Sequence, residues 1–371
     1  MPVEAIRPEV MIRQADAMAA DLREQVMPVS ERVSSLLTSA GLSLVDKVYV
    51  TGAGDSHHAA CATAMSFETI AGLRCEPVSA LPFLEYRAPW LGPAGHTRPL
   101  VIAISASGGT EHAVQALDAA RRSGALTIAI TGTPGSAVTQ VTDNSLVVSL
   151  PNLEPSPGIR TYQASLLGLL LIAMRLGEIR HSCTKAEART LNRNLAALAA
   201  DIDATATAAR DRCRDLAGTL ARAPVIVMTG SGPSYGTALF SAAKLIEAAG
   251  IFAAGQDLEE WSHVERWAYP DDMPVFVIAP PGRSYRNAVR VAAVARELGR
   301  HVIAVTADDD REVSHHARAV LPVHSQVREE FSPLLYHLFA SYLASYLATH
   351  LGQLPFQAGR RGRQSLRSGS K

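Results

Sequence analysis

Apolar residues along this chain fall into two alternating periods. Short Val/Ile-rich runs, such as Leu100–Ile104, end in small or hydroxyl-bearing residues, and each is followed by a stretch with helical amphipathic spacing. Parallel strands joined by crossover helices require this alternation. The pattern occurs twice: Val48–Gly72 aligns without gaps on Ile226–Gly250, and Pro99–Gly132 aligns on Pro274–Ala307. The expected fold class is therefore α/β, with two tandem doubly wound parallel sheets of flavodoxin-like type. Helices are expected over Pro8–Leu42 and over Ala-rich Lys185–Leu220, and long apolar helices around Ser165–Gly177 and Leu334–Gly352 complete the halves. The organisation expected is an N-terminal helical segment 1–45, a first domain with its helical linker 46–211, a second domain 212–356 and a basic tail 357–371.

Composition narrows the function classes. Thirty-five Lys plus Arg balance thirty-five Asp plus Glu, so no overall positive field draws the chain to nucleic acid or anionic lipid. Apolar runs are broken well short of the roughly 18 residues a membrane span needs, and the N-terminus carries acidic residues and no long apolar core, unlike a secretory signal. A cytoplasmic location is expected, with no membrane and no nucleic-acid partner. Cys61, Cys75, Cys183 and Cys213 form no CxxC pair and read as reduced structural thiols. His57 and His58 are adjacent, so on a helix their side chains diverge by about 100°, and no metal is expected. The Gly/Arg/Ser-rich tail reads as a solvated, poorly ordered terminus.

In an open parallel sheet, ligands bind beyond the carboxyl ends of the strands. Ser105-Ala106-Ser107-Gly108-Gly109-Thr110 follows the strand Leu100–Ile104 and precedes a helix expected near Glu111. Three hydroxyls, a helix start with free N–H groups and glycines that permit close approach suit a phosphate monoester; a Ser/Thr-capped turn is the plain alternative. Gly52-Ala53-Gly54-Asp55-Ser56 lacks the third glycine of a dinucleotide fingerprint, because His57 stands there. No nicotinamide cofactor is expected, nor any other. Ser56 either adds a hydroxyl to the same anion pocket or caps its own helix. In the second half prolines replace donors in Ala279-Pro280-Pro281-Gly282-Arg283-Ser284. Glu259-Glu260-Trp261-Ser262-His263-Val264-Glu265 joins histidine to carboxylates in a short non-periodic stretch, a combination able to exchange protons near neutral pH; a charged loop is the plain alternative.

The two-fold repeat, the SASGGT loop and the EEWSH segment together resemble the sugar isomerase (SIS) superfamily. The likeness is to its double-domain members, the isomerase portion of glucosamine-6-phosphate synthase and the fructosamine-6-phosphate deglycases, and it runs from about residue 14 to about residue 350. It implies that Ser56, Ser105, Ser107 and Thr110 hold a sugar phosphate, with Ala106 where the synthase has glutamine. It also implies that Glu247, in Ala242-Ala243-Lys244-Leu245-Ile246-Glu247, is the proton-shuttling base and that His263 assists ring opening. Lys244 and Glu260 become candidates for sugar hydroxyls or a transient negative charge. Burial beside apolar Leu245 and Ile246 is expected to raise the Glu247 carboxyl toward neutrality.

Three departures from the family pattern stand out. Val264-Glu265 replaces Gly-Pro after the histidine, Gly158-Ile159-Arg160-Thr161-Tyr162 replaces a segment of small hydroxyl residues with a lysine, and only Arg360 lies near the place of a C-terminal lysine. Pro2 stands where a glutaminase domain would carry its cysteine, so ammonia is expected free or from a separate subunit. The expected activity is phosphosugar isomerisation, or deamination or deglycation of an aminosugar phosphate, by an enzyme that pairs as a homodimer. The alternative is a non-catalytic phosphosugar sensor.

Overall fold

The computed structural model of the chain describes residues 6–38, 41–91 and 98–358; most of the basic tail, Arg360 included, lies outside the described residues. Contacts divide the chain into two compact units. The first contains Ala20–Asn152 and Arg160–Ala197; the second contains Leu153–Ile159, Leu198–Lys371 and Met1–Ala19, so far as these are described. After α1 (Glu9–Leu36), the first unit holds β1 (Val45–Gly52), α2 (Asp55–Thr69), β2 (Arg74–Ser79), α3 (Ala80–Tyr86), β3 (Arg98–Ile104), α4 (Glu111–Arg122), β4 (Leu126–Thr131), α5 (Ala137–Gln140), β5 (Asn144–Val147) and α6 (Arg160–Arg180). An unbroken α7 (Lys185–Leu220) follows, and the division between units falls within it. The second unit holds β6 (Ile226–Thr229), α8 (Pro233–Ala249), β7 (Ala253–Gln256), α9 (Leu258–His263), β8 (Pro274–Ala279), α10 (Tyr285–Glu297), β9 (His301–Ala307), α11 (Glu312–His316), β10 (Ala319–Val323), α12 (Pro333–Tyr336) and α13 (Leu338–His350).

Each unit carries a five-stranded sheet, ordered β2-β1-β3-β4-β5 in the first and β7-β6-β8-β9-β10 in the second, with every neighbouring pair parallel. Numbered from its own first strand, each sheet reads 2-1-3-4-5, so the repeat in sequence is a repeat in topology. The central strands are buried on both faces, which explains their unbroken apolar runs: Leu100–Ile104 and Pro274–Ala279 are buried throughout.

Helix ends follow local chemistry. Thr184 and Glu187 form a capping box at the start of α7, with Thr184 N–H donating to Glu187 Oε2 at 2.7 Å and Glu187 N–H to Thr184 Oγ1 at 3.2 Å. The helix expected over Leu334–Gly352 divides at His337 into α12 and α13. Among the described residues, α6 alone is long and apolar enough to cross a membrane, and 83% of its apolar window is buried within the fold. The four cysteines are free thiols, and burial pushes Cys61 up to about 11.

Candidate functional site

The order of the first sheet reverses between β1 and β3, which opens a crevice beyond their carboxyl ends. Ser105, 2% exposed, stands at the end of β3. Its Oγ lies 2.9 Å from Thr110 Oγ1 and accepts the Thr110 N–H at 3.4 Å, while Gly109 N–H donates to Ser107 Oγ at 3.4 Å. Thr110 precedes α4 but its hydroxyl caps no N–H of the helix, so the plain capped turn is not what forms. The N–H groups of Ala106, Ser107, Glu111 and His112 make no backbone hydrogen bond among the described residues. With the amino end of a 12-residue helix behind them, these groups form a cradle for an anion.

The cradle is fixed from two sides. Ala113, Ala116, Leu117 and Ala120 of α4 are buried against residues of β3 and β4, including Val101, Ala103 and Ala129. From the loop after β4, Gly132 N–H donates to Ala106 O at 3.0 Å, and Val138 N–H of α5 donates to Gly108 O at 3.0 Å. Gly108 has φ 70°, and a Cβ there would lie 1.9 Å from Ser136 Oγ, so only glycine allows the loop to close. These braces went unread in the sequence, although Thr131, Thr133 and Ser136 gave a hydroxyl-rich signal after β4.

Ser56 lies in the first turn of α2, just after the neighbouring turn that follows β1. A Cβ on Gly52 would sit 2.5 Å from Ser56 Cβ and 3.0 Å from Ile104 O, so glycine lets this turn run against the end of β3. Gly54, not Ser56, is the residue at the helix cap, which leaves the Ser56 hydroxyl available to a ligand. His57 is pushed down to about 4 by burial and by the adjacent His58. Its Nε2 lies 3.6 Å from Cys61 Sγ, and His58 Nδ1 lies 3.6 Å from Asp55 Oδ1. Among the described residues no three His, Cys, Asp or Glu side chains gather as a metal site.

In the second unit, Glu247 and Lys244 lie one turn apart on α8, and Lys244 Nζ donates to Glu247 Oε2 at 2.6 Å. Lys244 is fully buried, with its ammonium 5.0 Å from the Phe240 ring centre, whereas Glu247 is partly exposed. Leu245 is buried but Ile246 is 41% exposed, so the apolar surround expected for Glu247 does not form; a cation takes its place. The EEWSH segment is helical, contrary to the non-periodic stretch expected. Asp257 caps α9 by accepting the Glu259 N–H at 2.8 Å, and Leu258 and Trp261, three residues apart, bury one face of the helix. Glu259, Glu260 and His263 are exposed, and His263 Nε2 lies 3.1 Å from Glu259 Oε1.

The departures also have local explanations. Arg160 is not a free cation: it forms a two-pronged pair with Asp21, both bonds 2.6 Å, and donates to Pro151 O at 2.9 Å. Glu265 accepts from Gln256 Nε2 at 2.7 Å.

Two doubly wound parallel sheets, one bearing a hydroxyl and N–H cradle at its switch point, define a tandem α/β protein. The SIS domain model matches residues 41–175 and 219–351, and the chain belongs to that family. It is 28% identical over 309 residues to the glutamine–fructose-6-phosphate aminotransferase (isomerizing) of Gloeobacter violaceus, covering 83% of this chain and 50% of that protein. The corresponding enzyme of Thermococcus kodakarensis is 26% identical, with 90% and 52% covered. The chain thus spans about half the length of the curated relatives it matches. Among solved structures it resembles the C-terminal domain of glucosamine-fructose-6-phosphate aminotransferase from Francisella tularensis (TM-score 0.79, 15% identity, 91% and 96% of the two chains). It also resembles tagatose-6-phosphate ketose/aldose isomerase from Escherichia coli (TM-score 0.63, 18% identity, 95% and 92%).

Proposed function

We propose that this chain is a phosphosugar isomerase, or a deaminase or deglycase of an aminosugar 6-phosphate. The observation that carries the reading is the cradle: the N–H groups of Ala106, Ser107, Glu111 and His112, with one hydroxyl of the Ser105–Thr110 pair and those of Ser107 and Ser56, leave donors for a phosphate monoester that the fold does not otherwise consume. Holding the phosphate positions C1 and C2 of the open-chain sugar. Glu247 carries a proton between them through an enediol or enolamine, and His263 moves a proton between ring oxygen and anomeric hydroxyl; such steps are each worth roughly 10² to 10⁴ in rate. Lys244 steadies Glu247 and any negative charge that develops, and Glu260 meets sugar hydroxyls. The chain works as a homodimer.

The test is incubation in deuterated water with fructose 6-phosphate and ammonia, with glucosamine 6-phosphate, or with fructosamine 6-phosphates. Deuterium enters C1 or C2 with the wild type and does not with Glu247→Gln. A second reading, phosphosugar sensing without turnover, is favoured by the exposure of His263 and its pairing with Glu259. Saturable binding of these sugars with no deuterium incorporation establishes sensing and removes the enzymatic reading.

A further inference from the structure

The loop of the second unit that aligns with the Ser105–Thr110 cradle is Pro280–Tyr285, at the end of β8 and ahead of the 13-residue α10. Pro280 and Pro281 stand where Ser105 and Ala106 stand in the first unit, and neither has an N–H to offer. The loop nonetheless holds an anion, supplied by the chain itself. Glu329, on a short turn after β10, accepts the Arg283 N–H through Oε2 at 3.0 Å. A Cβ on Gly282 would lie 2.4 Å from the Glu329 carboxylate carbon and 2.7 Å from each of its oxygens, so the absence of a side chain at Gly282 is what admits the acid. Gly282 and Arg283 align with Ser107 and Gly108. The turn that carries Glu329 is held firmly: Ser332 Oγ donates to Glu329 O at 2.8 Å, and Phe331 and Ser332 are buried.

A carboxylate receiving a loop N–H at the start of a helix makes the interaction a phosphate oxygen would make there. We propose that Glu329 is an internal anion filling a second, latent phosphate-type position, so that each chain carries one open anion site and one occupied from within. A phosphate group enters the second position once the carboxylate is withdrawn. Arg283, exposed and in no ion pair among the described residues, supplies the cation for it, and Ser284, whose hydroxyl caps no N–H of α10, supplies a further donor. This inference is independent of any catalytic activity.

The experiment uses the full chain carrying Ser105→Ala and Thr110→Val, which silence the first cradle, with and without Glu329→Ala. Thermal midpoints are recorded against inorganic phosphate at constant ionic strength, with chloride as the control. Glu329→Ala lowers the midpoint, and phosphate at several times its dissociation constant restores about 2–4 °C in a saturable way, whereas the parent does not respond. Glu329→Ser, which also removes the carboxylate but leaves a small polar side chain, gives the same phosphate response and decides the matter if Glu329→Ala fails to fold. The proposal is overturned if phosphate raises these variants no more than the parent, or if chloride does as well.

Discussion

Ser105 Oγ and Thr110 Oγ1 share a hydrogen bond of 2.9 Å across the first cradle, although they stand five positions apart in the chain. Both hydroxyl oxygens are therefore held in place before a ligand arrives, and the cost of ordering the two side chains is met in folding. Thr110→Val removes one partner, and a hydrogen bond to a charged group is worth about 1.5–3 kcal/mol. The expected result is a loss of phosphosugar affinity of roughly ten- to a hundredfold, with little change in affinity for the same sugar without its phosphate. Calorimetric titration of both compounds checks this, and an equal loss for both would show that the hydroxyls do not read the phosphate.

Gly108→Ala is expected to be far more damaging than its chemistry suggests. The new Cβ would meet Ser136 Cβ at 2.3 Å as well as its Oγ, and the backbone conformation costs a side chain roughly 1–2 kcal/mol in addition. Adding Ser136→Gly removes the collision but not the backbone cost, so the double variant recovers part of the lost stability. Urea unfolding of Gly108→Ala, of Ser136→Gly alone and of the double variant measures the recovery; a double variant no more stable than Gly108→Ala would place the damage elsewhere.

The parts legible in the sequence were those written in short spacings. The repeat located both sheets, and the change from apolar run to hydroxyls at Ile104–Ser105 located the cradle, because strand ends and helix starts are local events. Lys244 and Glu247 were readable as neighbours from their three-residue spacing on a helix. The α9 helix was missed despite a local signal, Asp257 followed by carboxylates and by Leu258 and Trp261 at helical spacing. Glu329 on the loop at Arg283, 46 residues away, and Arg160 on Asp21, 139 residues away, were not legible. Such pairings are fixed by the packing of whole elements, and no periodicity in the chain announces them.

The Arg160–Asp21 pair, side chains only 7% and 9% exposed, yields a prediction that separates burial from charge. Asp21→Ala leaves a guanidinium buried without its counter-charge, and the expected loss is about 3–5 kcal/mol of stability. Arg160→Lys does not preserve the pair, because a single ammonium cannot replace two parallel bonds together with the bond to Pro151 O. Replacing both at once, by Asp21→Leu with Arg160→Met, is expected to cost much less than either single change. A double-mutant cycle from denaturant unfolding checks the non-additivity; additive losses would mean that the two side chains act independently.

His57 sets a pH dependence whose sign is fixed by burial. Its folded value, about 4, lies below the ordinary 6.5, so between these pH values the unfolded chain binds a proton that the folded chain does not. Stability contributed by this group is complete above pH 6.5 and falls as the pH is lowered toward 4, by at most about 1.4 kcal/mol per pH unit, the limit for one proton; partial exposure of the ring reduces it further. His57→Gln, which cannot titrate, is expected to flatten the stability profile between pH 6.5 and 4 while leaving the profile above pH 7 parallel to that of the wild type. Unfolding by urea at pH 7, 6 and 5 measures both profiles. An unchanged slope in the variant would show that His57 takes up its proton in the folded chain as readily as in the unfolded one, and the acid sensitivity would then belong to other groups.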